Sequence, residues 1–237
     1  MNERSPLPEA LSQPPRGRVL LLAPHADDDV IGAGGTASLH ALQGDPVHVI
    51  VTYDGVMGDP EGKVDPKQLR DVRRREAQEG GALLGLESYE FWGYPEGHSP
   101  APKEIRMAVD VLAGRISELA PDIVYAPWIG EYHLDHHILS RVTRAALEVC
   151  GFQGTAWGWE VWSPLVPTRI VDVTKVYPMK VQALKKHVSQ IAYGDIVHYA
   201  LGLNAHRSCY LPKGAHFGEA FAPLGPVSDE DREALSL

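Results

Sequence analysis

The feature that most constrains this chain is the stretch LLLAPHADDDVIGAGGT, residues 20–36, where an apolar run ends at a histidine and three successive aspartates. An unbroken apolar run of this kind is typical of a strand buried on both faces of a parallel sheet. Open α/β sheets bind their ligands at the carboxyl ends of such strands. Several acidic side chains are costly in that place unless a cation binds them. The stretch therefore predicts a metal site at the end of a buried strand.

The rest of the pattern predicts an α/β fold. Apolar strand-like runs, such as residues 47–51, alternate with segments of helical periodicity, such as residues 67–84. We predict a mostly parallel sheet with helices on both faces and a less regular C-terminal part. Because the 237 residues contain no repeat or linker, residues 18–237 are expected to form one domain. Residues 1–17 are expected to be a flexible lead-in, since four prolines interrupt them.

The glycine cluster after the aspartates allows two interpretations. Gly32, Gly34 and Gly35 are expected to form a tight turn before a helix over residues 36–43. With Ala37 they also spell GxGxxA, a dinucleotide-binding pattern, which raises the alternative of a non-catalytic dinucleotide- or sugar-binding protein. The three aspartates that precede the glycines would repel a pyrophosphate, so the metal site is favoured.

Composition excludes some classes of partner. The formal net charge is -9 and the longest run of basic residues is 73–75, which argues against nucleic-acid binding. No run of about 18 apolar residues occurs, so we expect no membrane span. Two cysteines without a pairing motif and an N-terminus without a signal-peptide pattern favour a reducing, cytoplasmic location. A small neutral or cationic substrate is the easiest to accommodate.

A second polar cluster, EYHLDHH at residues 131–137, follows the strand predicted at 122–126. A set of histidine and aspartate ligands that leaves positions for water suits Zn²⁺ or another divalent ion in a catalytic role. His25 and Asp28, three apart in one turn, can converge on one ion, and Asp27 then remains to act as general base. A histidine of the second cluster would stabilise the oxyanion or protonate the leaving amine.

These motifs resemble the LmbE-like or PIG-L deacetylases. The resemblance rests on HADDDVIGAGG, on Arg73 and Glu76 three apart in a helix, on YPEG and on HLDH, and it runs from about residue 18 to 221. It implies a Rossmann-like fold and a zinc-dependent enzyme, with Fe²⁺ as an alternative metal, that removes the acetyl group from a small N-acetylglucosamine-type sugar or conjugate. Relatives often form trimers or hexamers, so the resemblance also implies a homo-oligomer.

The resemblance implies a role for each residue of the two clusters. Three side chains would hold the metal: His25, Asp28 and His136. Three others would serve the reaction, namely Asp27 as general base, His133 as oxyanion stabiliser or acid, and Asp135 as the partner that orients His133. Two would contact the substrate: Arg73 and Glu96. The role of the late GEAF segment, which contains Glu219, does not follow from the resemblance.

The chain departs from the family pattern at a few positions. Ala26 and Leu134 replace the prolines of the usual HPDDE and HPDH motifs, while Asp29 is shorter and Glu96 longer than the usual residue. Every implied ligand is kept, so we predict the same chemistry on a substrate that the sequence does not specify. Three alternatives stay open: hydrolysis of another N-acyl group, Arg73 with Glu76 as an ordinary surface pair, and the aspartate run as a solvated helix N-cap.

Overall fold

The structure is a computed structural model that describes residues 7–235, with side chains up to residue 233. The strands are β1 (Glu9–Leu11), β2 (Val19–Ala23), β3 (Val47–Tyr53), β4 (Ser88–Tyr94), β5 (Ile123–Pro127), β6 (Thr155–Trp159), β7 (Arg169–Asp172) and β8 (Gly218–Pro223). The helices are α1 (Asp28–Gln43), α2 (Pro66–Leu84), α3 (Pro102–Leu119), α4 (Leu134–Val149), α5 (Tyr177–Leu184), α6 (Val188–Ile191), α7 (Ile196–Arg207) and α8 (Asp229–Leu235). None of the described helices is long and apolar enough to cross a membrane.

The strands form one eight-stranded sheet in the order β1-β7-β8-β6-β5-β2-β3-β4. Strands β4, β3, β2, β5 and β6 are parallel neighbours, whereas β8 runs antiparallel to both β6 and β7. The chain moves outward from β2 in one direction to β3 and β4, and then returns to the other side of β2 as β5. The boundary between β2 and β5 is therefore the switch point at which open α/β sheets bind ligands.

The core lies on both faces of this sheet, as the prediction of an α/β fold required. Alternate residues of β2 point to opposite faces. Leu21 packs in a cluster with residues of α1, α2 and α5, while Leu20 and Leu22 pack in a second cluster with residues of α3 and α4. All three leucines are fully buried, and each such side chain contributes about 1.5–3 kcal/mol of transfer free energy.

The prediction of a tight glycine turn before a helix at 36–43 is wrong, because α1 already begins at Asp28 and contains the glycines. They serve close packing. A Cβ atom on Gly32 would overlap the buried ring of Trp159, and one on Gly35 would lie 2.7 Å from Cβ of Val173. The glycines therefore let α1 approach its neighbours closely, and the helix starts directly at the aspartates.

The lead-in expected over residues 1–17 is partly ordered. Residues 1–6 lie outside the described residues, but Glu9–Leu11 forms β1, which pairs in parallel with β7. Pro8 and the pair Pro14 and Pro15 flank this short edge strand and leave its ladder intact. Strand β8 was also absent from the sequence prediction, although it contains the GEAF segment.

Glu219 of that segment anchors α1 to β8. Its carboxylate accepts hydrogen bonds from the backbone N–H groups of Gly35 and Thr36, and from the Lys180 ammonium at 2.7 Å. The Lys180 side chain is fully buried and also donates to the carbonyl of Ile31. Burial lowers the pKa of Lys180, and the Glu219 carboxylate opposes this. Glu219 and Lys180 thus anchor α1, the helix that begins at the first acidic cluster, to strand β8.

Candidate metal centre

The two predicted clusters meet at the switch point of the sheet. Strands β2 and β5 are parallel neighbours, so the segments that follow them leave the sheet at the same edge. The first segment carries His25 and leads into α1, whose first residue is Asp28. The second leads into α4, which has His133 as its N-cap and His136 in its first turn. Potential ligand atoms of His25, Asp28 and His136 all lie within 4.8 Å of one another.

Oδ2 of Asp28 is the centre of this group. It lies 3.0 Å from Nδ1 of His25 and 3.1 Å from Nε2 of His136, and it accepts the backbone N–H of His25 at 2.9 Å. The three residues are at most 6% exposed. Neither ring nitrogen of the buried His136 has a hydrogen-bond partner among the described residues. Two imidazoles and a carboxylate that converge in this way fit a zinc-type ion, and the unpartnered nitrogens of His136 support that fit.

Neighbouring carboxylates favour positive charge on the two histidines of this group. Burial alone would lower the pKa of His25, but hydrogen bonds to Asp135 and Asp28 raise it to about 10. Burial also opposes protonation of His136, yet Asp28 raises the pKa of that ring to about 9. Burial alone would raise the pKa of Asp28, but His136 and then His25 hold it well below its usual range. The site therefore favours a positive charge at its centre.

Asp27 lies beside this group and is held by Arg73. Its Oδ2 is 3.3 Å from the guanidinium of Arg73, which also donates to the carbonyl of Gly55 at 2.9 Å. Arg73 is 3% exposed. Glu76 accepts instead from the backbone N–H and the hydroxyl of Ser189. The alternative of an ordinary surface pair between Arg73 and Glu76 is therefore wrong, because both side chains are buried and bind other partners.

His133 is held in one tautomer by the helix that it caps. Its Nδ1 accepts the backbone N–H of Asp135 at 3.3 Å, so in the neutral ring the proton is on Nε2. Burial, followed by the neighbouring His25 and His136, lowers the pKa of His133. The ring stands edge-on to that of His25, with centroids 5.0 Å apart. His133 can therefore present a neutral N–H donor beside the candidate metal ligands.

The resemblance had implied that the carboxylate of Asp135 orients the ring of His133, but its hydrogen bond to a histidine is made with His25. The carboxylate lies 3.0 Å from Nε2 of His25 and accepts the backbone N–H of Gly97 at 3.1 Å. The reason is the direction of the fully buried Asp135 side chain, which points from the first turn of α4 to the segment that follows β2 and carries His25. A proton on Nε2 of His25 leaves the Nδ1 lone pair free to face Asp28 and an ion.

A cavity of about 500 Å³ lies next to the site and is lined by Met57, Glu96, Gly97, Tyr132, His133 and Leu134. Glu96 accepts the backbone N–H of Met57 at 2.8 Å, and its other oxygen lies 3.6 Å from Nε2 of His25. Tyr132 is 85% exposed at the rim. Of the two residues that were expected to contact the substrate, Glu96 lines this cavity, whereas Arg73 lies behind Asp27.

Sequence reasoning missed Glu131, which is 3% exposed and lies behind His136. Oε2 of Glu131 is 3.5 Å from Nδ1 of His136. The same carboxylate accepts backbone N–H groups of Val161 and Trp162 at 2.7 and 3.2 Å. The available signal was its position in the EYHLDHH cluster at the end of a strand, but neither a motif nor a spacing rule pointed to it.

Comparisons with known proteins find similar sequences and similar folds. Residues 20–147, more than half of the chain, match the family model PIG-L, described as GlcNAc-PI de-N-acetylase. A diacetylchitobiose deacetylase of Thermococcus kodakarensis is 27% identical, over 73% of this chain and 70% of that protein. A 4-oxalmesaconate hydratase of Pseudomonas putida is 26% identical, over 72% and 73%. The solved N,N'-diacetylchitobiose deacetylase of Pyrococcus horikoshii superposes with a TM-score of 0.71 at 25% identity, covering 86% of this chain and 82% of that one.

Proposed function

The chain belongs to the PIG-L family, and from this premise we propose that it is a zinc-dependent hydrolase that removes the N-acetyl group from an N-acetylglucosamine-type sugar or conjugate. The observation that carries the proposal is the convergence of His25, Asp28 and His136 beside an accessible cavity. The relatives named as deacetylases support an acetamide as the reacting group. The products would be a free amine and acetate.

The ion would be held by His25, Asp28 and His136. Two nitrogen donors and one oxygen donor leave further positions open, as in catalytic rather than structural zinc sites. The same donors also suit other divalent ions, Fe²⁺ among them. A zinc ion bound there would lower the pKa of a water molecule to roughly 7 and polarise the acetamide carbonyl.

We assign the proton transfers to Asp27. Its carboxylate takes a proton from the water as the oxygen adds to the acetamide carbon, and returns a proton to the nitrogen as the C–N bond breaks. Arg73 supports this role because its buried guanidinium holds the carboxylate at 3.3 Å. Arg73 thus acts through Asp27, and we place it as a positioning residue rather than a substrate contact.

We assign stabilisation of the oxyanion to His133. A neutral ring with its proton on Nε2 can donate a hydrogen bond as negative charge develops on the carbonyl oxygen, without first gaining a proton. Two observations support this neutral form: the backbone N–H of Asp135 donates a hydrogen bond to Nδ1 of His133, and the pKa of the His133 ring is lowered. Glu96, which lines the cavity, is placed to accept hydrogen bonds from sugar hydroxyls.

The relative named as a hydratase raises a second candidate, the addition of water to a carbon–carbon double bond. The lining of the cavity argues against it in this chain. A polycarboxylate substrate favours cationic side chains in addition to the proposed ion, yet the six residues that line the cavity include a carboxylate, Glu96, and neither lysine nor arginine. We therefore place N-deacetylation first.

A substrate with a longer acyl group stays open as an alternative. An apolar cavity of about 270 Å³ lies on the other side of the segment that carries Glu96, and Tyr53, Tyr94 and Ile138 contribute to its lining. Tyr53, which lines this cavity, also lies close to the candidate metal site, since its ring centroid is 5.9 Å from that of His25. The assay therefore has to vary the acyl chain as well as the sugar.

The test is amine release from N-acetylated sugars, N-acyl variants of the same sugars and a hydratable enol carboxylate, with the protein stripped by a chelator and then reloaded with zinc. We expect amine release from an N-acetylated sugar only after reloading. Release from longer N-acyl sugars alone would identify the other hydrolase, and consumption of the enol carboxylate alone would identify a hydratase. Binding without turnover of any substrate would contradict a catalytic role.

A further inference from the structure

We propose that Glu131 is a positioning residue that fixes the tautomer of the metal ligand His136 and connects the ion to the turn after β6. The inference rests on the proposed function, because it requires that a metal binds. Nothing in the sequence motifs assigned Glu131 a role, and its side chain does not line the cavity next to the candidate metal site. Its placement behind the ligand is the observation to be explained.

His136 lies between two carboxylates. Its Nε2 faces Oδ2 of Asp28 at 3.1 Å, on the side of the candidate metal site, and its Nδ1 faces Oε2 of Glu131 at 3.5 Å, on the opposite side. The ring is fully buried, and neither nitrogen has a hydrogen-bond partner among the described residues. Glu131 is therefore the charged group available to settle which nitrogen carries the proton.

The carboxylate of Glu131 is itself held firmly. Oε1 accepts the N–H of Val161 at 2.7 Å, and more weakly that of Ser163 at 3.4 Å, while Oε2 accepts the N–H of Trp162 at 3.2 Å. Three successive backbone donors fix the orientation of the carboxylate. Both of its oxygens accept hydrogen bonds and neither donates one, so the group favours a proton on Nδ1 of His136.

A proton on Nδ1 leaves the lone pair of Nε2 free, and Nε2 is the atom that faces Asp28. Carboxylates in this outer position fix the tautomer and the ring orientation of metal-binding histidines. Asp135 stands in the same relation to His25, with its oxygen 3.0 Å from Nε2 of that ring. Both histidine ligands are thus backed by a carboxylate from the segment that follows β5.

The substitution Glu131→Gln tests the role of this carboxylate with almost no change in volume. If the amide oxygen keeps the bond to Val161, the NH₂ group must face Trp162 and Nδ1 of His136. Because the NH₂ group is a donor, it favours the lone pair on Nδ1 and the proton on Nε2 of His136, and a protonated Nε2 cannot bind the metal. We expect the dissociation constant for zinc, measured by competition with a chelator, to rise about 10- to 100-fold.

The matched control is Glu160→Gln on the same turn. Glu160 is equally buried and accepts the N–H of Leu165 at 2.6 Å, but its ionic partner is Arg207 and not a histidine. If Glu131 only anchors the turn, the two variants should bind zinc alike. We expect the control to keep the zinc affinity of the wild type, and equal affinities for the wild type and Glu131→Gln would overturn the inference.

A measurement on the unmutated protein keeps the proposal testable if Glu131→Gln does not fold. In zinc-loaded protein with ¹⁵N-labelled histidine, His136 should show its proton on Nδ1 and its metal bond on Nε2. The reverse assignment would overturn the inference and leave the proposed function in place. If the wild type binds no zinc at all, the proposed function and this inference both fail.

Discussion

At the scale of single residues, each histidine of the site has a contact that favours one position for its proton. His25 has a carboxylate at Nε2, His133 has a backbone donor at Nδ1, and His136 has a carboxylate on the side away from Asp28. Each contact comes from the segment between β5 and the first turn of α4. One short segment therefore provides the contacts that orient all three imidazoles.

Asp27 is the residue on which the proposed chemistry depends most. In Asp27→Asn the side chain keeps its size but loses its ability to accept a proton, so we expect kcat for amine release to fall about 10²- to 10⁴-fold. The zinc content should be unchanged, because Asp27 is not one of the three proposed ligands. The control is Asp122→Asn. Asp122 lies directly before β5, and its exposed carboxylate, which the variant replaces by an amide, accepts the backbone N–H of Arg18. A near wild-type rate in zinc-loaded Asp27→Asn would show that the assignment of the base is wrong.

His40 provides a prediction about pH and stability. It is fully buried, with Nδ1 3.0 Å from Asp45 and Nε2 3.0 Å from the hydroxyl of Tyr125. Burial lowers the pKa of His40 below its ordinary 6.5, although Asp45 opposes this. Near pH 6.5 the His40 side chain therefore binds a proton in the unfolded chain but not in the folded one. Acidification from pH 7 to 5 thus lowers the free energy of unfolding by up to about 1.4 kcal/mol per pH unit.

The check compares urea unfolding of the wild type and His40→Gln at several pH values. The variant is expected to be less stable at pH 7 but to lose less stability on acidification, because it has no ring to protonate. The difference between the two curves cancels the contribution of the other titrating groups. Parallel curves would show that His40 is not a source of the pH dependence.

The sequence was enough to predict that the two clusters lie together, but not every contact that their residues make. The clusters at 25–28 and 133–136 can be recognised from residue type alone. Histidines and aspartates directly after two apolar strands are seldom required for folding, so they indicate a functional site. Glu131 carries no such signal, because a carboxylate before a helix is common. The partner of Asp135 could not be predicted either, since the direction of its side chain depends on how α4 packs next to the segment that follows β2.

At the scale of elements, α1 shows how packing determines where the acidic cluster lies. Its glycines face Trp159 on β6 and Val173 just after β7, so the helix lies close to the sheet and places its first residue, Asp28, at the switch point. The sequence suggested a turn here, because glycines disfavour isolated helices. Tertiary packing outweighs that preference, and the contacts that do so come from residues more than 100 positions away.

Two glycine substitutions separate packing from helix propensity. Gly35→Ala would place a methyl group 2.7 Å from Val173 and 3.0 Å from Glu219, so we expect a loss of about 1–3 kcal/mol in the free energy of unfolding. Gly114→Ala in the interior of α3 meets no atom within 4 Å and should gain about 0.4–1 kcal/mol. Urea unfolding measures both changes. A neutral or stabilising effect of Gly35→Ala would contradict the packing role assigned to that glycine.

At the scale of the whole molecule, the order of the strands brings the two clusters together. Alternating apolar runs and helical periods were enough to predict a parallel α/β sheet, because each strand carries its own pattern. The short edge strand β1 and the antiparallel β8 were not predictable in the same way. Their pairing depends on β7, and three to six residues among prolines or glycines carry little periodicity.

The central claim is that segments from β2 and β5 bind one divalent cation between them. The most direct test is a crystal structure of the zinc-loaded protein with diffraction data at the zinc absorption edge. We predict one anomalous peak per chain, bonded to His25, Asp28 and His136, with Asp27 beside it and not bonded. A zinc ion bound at another place, or His136 turned away from the ion held by His25 and Asp28, would contradict the account.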